Sequence, residues 1–167
     1  MLIDDPPRRT PMWRALKEKG FTSASDVLRA LGVKGAPVDV VLVAQALGIP
    51  INVVKQPGWT GAMKNDGKAA SIWVKAEDDV TRQRFTIAHE IGHVMLHPAG
   101  VLFRDNASYS GDEREKAAND FAAQLLMPMP LMDAIAMQTN RDVHAIARAF
   151  QVSPGAARIR LREWEEL

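Results

Sequence analysis

The sequence predicts an α+β fold in which a small antiparallel sheet precedes two long helices that carry the chemistry, with a helical pair closing the chain. Three observations predict it. A tight-turn signal, Asn65-Asp66-Gly67-Lys68, is followed by the β-prone stretch Ser71-Ile72-Trp73-Val74. Apolar residues recur at helical spacing through Phe85, Ile87, Ile91 and Met95 until Pro98 forbids continuation. A second helical pattern leads to Met127 and stops before Pro128.

A chain of 167 residues that is 47% hydrophobic can bury one core and attach a small extension to it. The sequence divides accordingly: residues 1–35 as an N-terminal helical extension, 36–130 as the core, and 131–167 as a C-terminal helix-turn-helix-like extension packed on that core. In the first part, helical patterns run from about Met12 to Lys19 and from Ser25 to Leu31, with Ser25 as a cap and Gly32 as a stop. The apolar set Val40, Val41, Val43, Ala44 and Leu47 then predicts a buried helix ended by Gly48, and Ile51-Asn52-Val53-Val54 a strand. Thr81 opens the next helix. A loop from Ala99 to Tyr109 reaches Ser110-Gly111-Asp112-Glu113, which has the form of a capping box for the helix ending at Met127. Beyond Pro128-Met129-Pro130, Asp142 to Phe150 and Pro154 to Trp164 predict two helices joined by Gln151-Val152-Ser153.

The bulk composition excludes several classes. With 21 basic and 20 acidic residues, the total charge advertises no polyanionic partner. The absence of cysteine removes disulfides, thiolate metal sites and cysteine nucleophiles together, so any metal must be held by His and carboxylate. The first residues carry acids and prolines where a signal peptide has a basic and then an apolar stretch, and no apolar run approaches the ~20 residues of a membrane span. A cytoplasmic protein without a membrane anchor is the expectation.

Chemistry concentrates in His89-Glu90-Ile91-Gly92-His93. Residues four apart on a helix lie one turn above each other, so His89 and His93 can aim both imidazoles at one ion. Glu90, beside them, stands near a metal-bound water, which zinc acidifies from ~15.7 toward ~7, and can serve as its general base. A catalytic zinc requires a third protein ligand. Glu115 is the strongest candidate, with Asn119 and Ala122 on the same helical stripe, and Glu113 is its rival. His97 continues the histidine stripe, but ligands on three consecutive turns are spread by ~6 Å per step, so it is expected beside the site or at the helix end. Ala99 stands where an elongated three-histidine motif requires a ligand, which excludes that class. Tyr109 and His144 are candidates for stabilising an oxyanion.

The run from Arg82 through His93, followed by Leu96-His97, and the later block of Glu115 with Ala118-Asn119-Asp120-Phe121-Ala122-Ala123-Gln124-Leu125-Leu126-Met127-Pro128 resemble the ImmA/IrrE metallopeptidase family. The resemblance extends from Pro37 through Pro128 and more loosely to the end. It implies a zincin-like core, zinc bound by His89, His93 and Glu115, and Glu90 as the catalytic group. It also implies a protein substrate, a helix-turn-helix repressor of the Xre type or an antitoxin-like partner. Residues 1–35 are too short to supply such a repressor, so a separate partner is expected.

Two other readings compete. One retains the metal without catalysis, as a sensor or partner-binding module in a toxin–antitoxin or mobile-element system. The other makes the C-terminal helix pair a DNA reader; its second helix begins Pro154-Gly155-Ala156-Ala157, which offers nothing to base edges and leaves Arg158, Arg160 and Arg162 for phosphates. Direct nucleic-acid binding is therefore not expected.

Overall fold

The computed structural model describes residues 9–104 and 112–167. It begins with three short helices, α1 (Met12–Glu18), α2 (Ala24–Leu31) and α3 (Val40–Leu47). Ser23, not Ser25, caps α2: its hydroxyl accepts from the Asp26 N–H at 3.0 Å and the Asp26 carboxylate accepts from the Ser23 N–H at 3.2 Å. Both candidates are serines two residues apart, and the reciprocal acid three positions on selects the earlier one. Asp39 caps α3 through two backbone N–H groups, and Gly48, at φ 80°, ends it in the left-handed conformation that glycine adopts without strain.

Four strands follow in the sheet order β1-β3-β2-β4: β1 (Ile51–Val54), β2 (Gly61–Asn65), β3 (Ala70–Lys75) and β4 (Gly100–Arg104). The Asp66 carboxylate holds the β2–β3 turn by accepting from the Lys68 and Ala69 N–H groups, which pulls its pKa below the ordinary carboxylate value. β2, β3 and β4 form the expected antiparallel set, whereas β1 joins the outer side of β3 in parallel register, Ile51 opposite Ile72. β4 falls within the stretch expected to be loop. Its ladder partner, β2, lies far back in the chain, and a short edge strand made by such remote pairing leaves little periodic signal. Alternation in β3 buries Ala70, Ile72 and Val74 toward the helices.

The central element is α4 (Val80–Leu96), which is capped by Asp79 and starts one residue before Thr81, the start that the sequence suggested. It lies across β2 and β3 and alongside α5 (Glu113–Leu126), and its residues Thr86 to Met95 are all buried. Asp112 is the N-cap of α5 through the Arg114 N–H at 2.9 Å, so Glu113 is the first helical residue and not the far half of a capping box. Ser110 lies outside the described residues.

After α5, whose C-cap is Met127, a further helix, α6 (Met129–Gln138), occupies the stretch that two prolines made look like a break. Pro130 sits in its first turn, where a missing N–H costs nothing. The expected closing pair is present as α7 (Val143–Phe150) and α8 (Pro154–Glu165). One hydrophobic cluster joins Trp13 of α1, Ile72 of β3, Ile91 of α4, Leu125 of α5 and Phe150 of α7. Among the described residues no helix is long and apolar enough to cross a membrane.

Three cations tie these helices end to side. Lys17 of α1 donates to the carbonyls of Val94, at 2.9 Å, and His97 at the C-terminus of α4. Arg84 of α4 donates to the Phe150 and Gln151 carbonyls at the end of α7, both at 3.1 Å. Arg160 of α8 donates to the Met127 carbonyl at the end of α5, at 2.9 Å. Each places positive charge where a helix leaves acceptors open and its dipole is negative. Burial lowers the pKa of Lys17 and of Arg84, in the latter case against the opposing pull of Asp39. Replacing Arg84 by Met keeps the apolar stem and removes both bonds, and is expected to destabilise the protein by about 1–3 kcal/mol. The check is urea unfolding, with a lowered midpoint at an unchanged slope.

Candidate metal centre

Four elements build the site. α4 presents His89 and His93 one turn apart, with imidazole centroids separated by 4.7 Å. Glu115, in the first turn of α5, reaches across so that Oε2 lies 3.0 Å from His89 Nε2 and Oε1 lies 2.9 Å from His93 Nε2. The two Nε2 atoms are themselves 3.0 Å apart. β2 and the start of β4 wall the adjoining cleft, of about 150 Å³, through Met63 and Gly100, with His93, His97, Arg114 and Glu115 on its other sides.

The approach of α5 depends on Gly92. A Cβ at this position would stand 3.1 Å from three atoms of the Phe121 side chain, tighter than ordinary van der Waals contact. The motif's glycine is therefore the surface on which Phe121 seats, and that seating brings Glu115 within reach of both histidines.

Proton positions follow from the partners. His89 Nδ1 is 2.7 Å from Asn119 Oδ1, an amide oxygen that can only accept. His89 thus carries its proton on Nδ1 and turns the Nε2 lone pair inward. Burial, and then the neighbouring His89, lower the pKa of His93 to about 4 against the opposing pull of Glu115, so this ring too is neutral near pH 7. Two imidazole lone pairs and a carboxylate converge at separations of 2.9 to 3.0 Å, and such mutually repelling donors are reconciled by a shared cation. The edges compare with about 3.3 Å for a tetrahedron built on metal bonds of about 2.0–2.1 Å. His89, His93 and Glu115 also form the one group among the described residues with ligand atoms placed to hold a metal ion. A divalent cation fits this donor set.

The remaining candidates divide. Glu90 is fully buried on the same turn of α4, where a carboxyl group has no hydrophobic reason to be. Asn119 is the orienting partner of His89. Glu113 is exposed and outside the group, which leaves Glu115 as the carboxylate at the site. His97 is the C-cap residue of α4; its Nε2 donates to the Arg114 carbonyl at 3.1 Å and joins the end of α4 to the first turn of α5. It lines the cleft without entering the three-donor group. Tyr109 lies outside the described residues. His144, on α7, faces a different cavity beside Val80 and Thr81 at the opposite end of α4 and is not brought to the group. Sequence reasoning passed over Gly92, Met63 and Arg114. For Gly92 a signal existed, a glycine in mid-helix where it costs about 1 kcal/mol against alanine and so calls for a packing reason.

The fold and site define a class: a zincin-like α+β protein whose central helix and the next one bring together a His-His-Glu group able to hold a metal. Comparison with known proteins agrees. Residues 44–162 match the IrrE N-terminal-like domain, and the chain belongs to this metallopeptidase family. It is 39% identical over 100 residues to the radiation response metalloprotease IrrE of Deinococcus deserti, covering 55% of this chain and 36% of that protein. To IrrE of Deinococcus radiodurans it is 36% identical over 90 residues, covering 49% of this chain and 27% of the relative. It is also 31% identical over 70 residues to an uncharacterized immunity region protein of Bacillus phage phi105, covering 41% and 44%. The chain thus matches less than half the length of each of these relatives.

Two predictions test the site. Asn119→Ala removes the acceptor that orients His89 and is expected to weaken metal binding about 10- to 100-fold, measured by competition with a chromophoric chelator. Gly92→Val forces Phe121 away and is expected to cost about 1–3 kcal/mol of stability, with part recovered when Phe121→Leu is added; thermal unfolding of the single and double variants checks it.

Proposed function

We propose that the protein is a zinc-dependent endopeptidase, and the observation that supports this best is the convergence of His89, His93 and Glu115 beside a buried Glu90 and an open cleft. His89, His93 and Glu115 would hold the zinc ion, which when bound would supply Lewis acidity toward a water and the scissile carbonyl. Glu90, buried on the same helical turn, would be the group placed to accept a proton from the attacking water and to pass it to the leaving amine. Asn119 keeps the His89 lone pair turned inward. His97 and its bond to Arg114 hold the two ligand helices in register at the cleft.

An extended substrate segment is placed along the sheet edge nearest the site. Ser71 to Val74 cannot provide it, because β3 is paired on both sides, with β1 and with β2. The edges of the sheet are β1 and β4, and β4 begins at Gly100 on the cleft itself. Main-chain hydrogen bonds to β4 would present a peptide carbonyl above the metal group.

The partner in this reading is an Xre-type helix-turn-helix repressor or an antitoxin-like protein in the cytoplasm. The relative from a phage immunity region is in keeping with a role in a mobile element. In this reading the flanking segments support the 36–130 core, as the lysine and arginine ties from the described residues 9–35 and 131–167 favour. A DNA-reading role for α7 and α8 is disfavoured further, because Arg160 is buried against the end of α5 and leaves Arg158 and Arg162 as the surface arginines of α8.

The test is incubation of the zinc-loaded protein with the helix-turn-helix protein encoded beside it. A single cut is expected, abolished by chelation and reduced about 10²- to 10⁴-fold by Glu90→Gln, which should retain the metal. Cleavage by Glu90→Gln at the wild-type rate would refute the role of Glu90. Stable binding without any cut would favour the metal-bound sensor.

A further inference from the structure

We propose that the trough between α2, the end of α5, the start of α6 and α8 docks an apolar peptide segment that carries a carboxylate. The trough encloses about 680 Å³. Leu28, Val33, Met129 and Leu131 give it an apolar lining, and its charges come from Arg29, Lys34 and Arg160 alone, with no Asp or Glu among the lining residues. An apolar recess whose charges are all positive complements a ligand that is apolar and anionic.

Arg160 makes the anionic part specific. It is only 7% exposed, and it is fixed in place by Nε donating to the Met127 carbonyl and Nη1 to Glu163 at 2.8 Å. Nη2 makes no hydrogen bond among the described residues. A buried guanidinium with one arm uncommitted, in the wall of a recess, can still donate a single charge-assisted hydrogen bond to a carboxylate. The same wall contains the start of α6, where Pro128, Met129 and Pro130 add apolar surface. Lys34 and Arg29, the latter 3.9 Å from the Asp26 carboxylate, stand exposed among the lining residues, where they steer an anion toward Arg160.

A peptide fits better than a hydrocarbon chain, because Ser25 and Gln124 place polar groups along the flanks where peptide amides need partners. The trough is separate from the metal group: Gln124 lies roughly 14 Å along α5 from Glu115 at the 1.5 Å rise of a helix. Docking here therefore stands or falls independently of proteolysis.

The experiment is fluorescence anisotropy with the full chain and three fluorescein-labelled ten-residue probes that share one leucine-rich sequence. The first ends in two glutamates and a C-terminal amide, the second replaces the glutamates by glutamines, and the third keeps the glutamines but has a free terminal carboxylate. The glutamate probe or the free-carboxylate probe should bind at least tenfold more tightly than the uncharged one, and the tighter of the two identifies the carboxylate's source. The double variant Arg29→Glu, Lys34→Glu should weaken the preferred probe at least tenfold while leaving metal content and the unfolding midpoint unchanged. In wild-type protein the probe should shift the methyl resonances of Leu28, Val33 and Leu131. Equal affinity for charged and uncharged probes, no saturable binding, or indifference to the double variant would overturn the proposal. So would displacement of the probe by decanoate at lower concentration than by unlabelled peptide, or a dimer in sedimentation that the double variant dissolves.

Discussion

The contact between Gly92 and Phe121 is the constraint on which the site rests. Two histidines on one helix can hold an ion only loosely, and the third donor must come from a helix far along the chain. Its carboxylate reaches them because α5 seats Phe121 directly on the backbone of α4 at the one motif position that has no side chain. The approach sets the 2.9 and 3.0 Å spacings between Glu115 and the histidines, and Asn119, one turn further along α5, meets His89 by the same geometry. Packing and chemistry are thus one arrangement: a shift of α5 would loosen the core and separate the ligands together.

Around this pair, the rest of the molecule is organised to hold α4 and α5 where they are. Lys17 closes the end of α4 and Arg160 the end of α5, while Arg84 extends from α4 to close α7. Each long cation crosses from one helix to the carbonyls of another, so the first and last helices are joined to α4 and α5 by charge-assisted hydrogen bonds as well as by the common core. The sheet covers the other side of α4, and its β4 edge and the first turn of α5 flank the same cleft. The buried His-His-Glu group is thereby given one open side and packed walls, an arrangement that suits a metal site with a free coordination position.

Much of this was legible in the sequence because it is local. The stops of α2, α3 and α4 follow from Gly32, Gly48 and Pro98, the β2–β3 turn from Asn65-Asp66-Gly67-Lys68, and the pairing of His89 with His93 from the helical period. The errors have local causes as well. The sequence pointed to Ser25 and to a Ser110–Glu113 capping box, whereas Ser23 and Asp112 are the residues whose side chains meet the free N–H groups of the observed first turns. Two prolines concealed α6, although a proline in a first turn interrupts no hydrogen bond.

By itself, then, the sequence determined the chemistry of the centre: a cysteine-free donor set, two imidazoles one turn apart and a carboxylate beside them, because these depend on residue type and on a period of 3.6. Only the tertiary structure decided that Glu115 and not Glu113 completes the group, that His97 bridges two helices while His144 lies elsewhere, and that β3 is interior while β4 is an edge. Those outcomes depend on contacts between residues far apart in the chain, such as Phe121 on Gly92. Their energy resides in the fit of two surfaces, and no spacing along one chain records it.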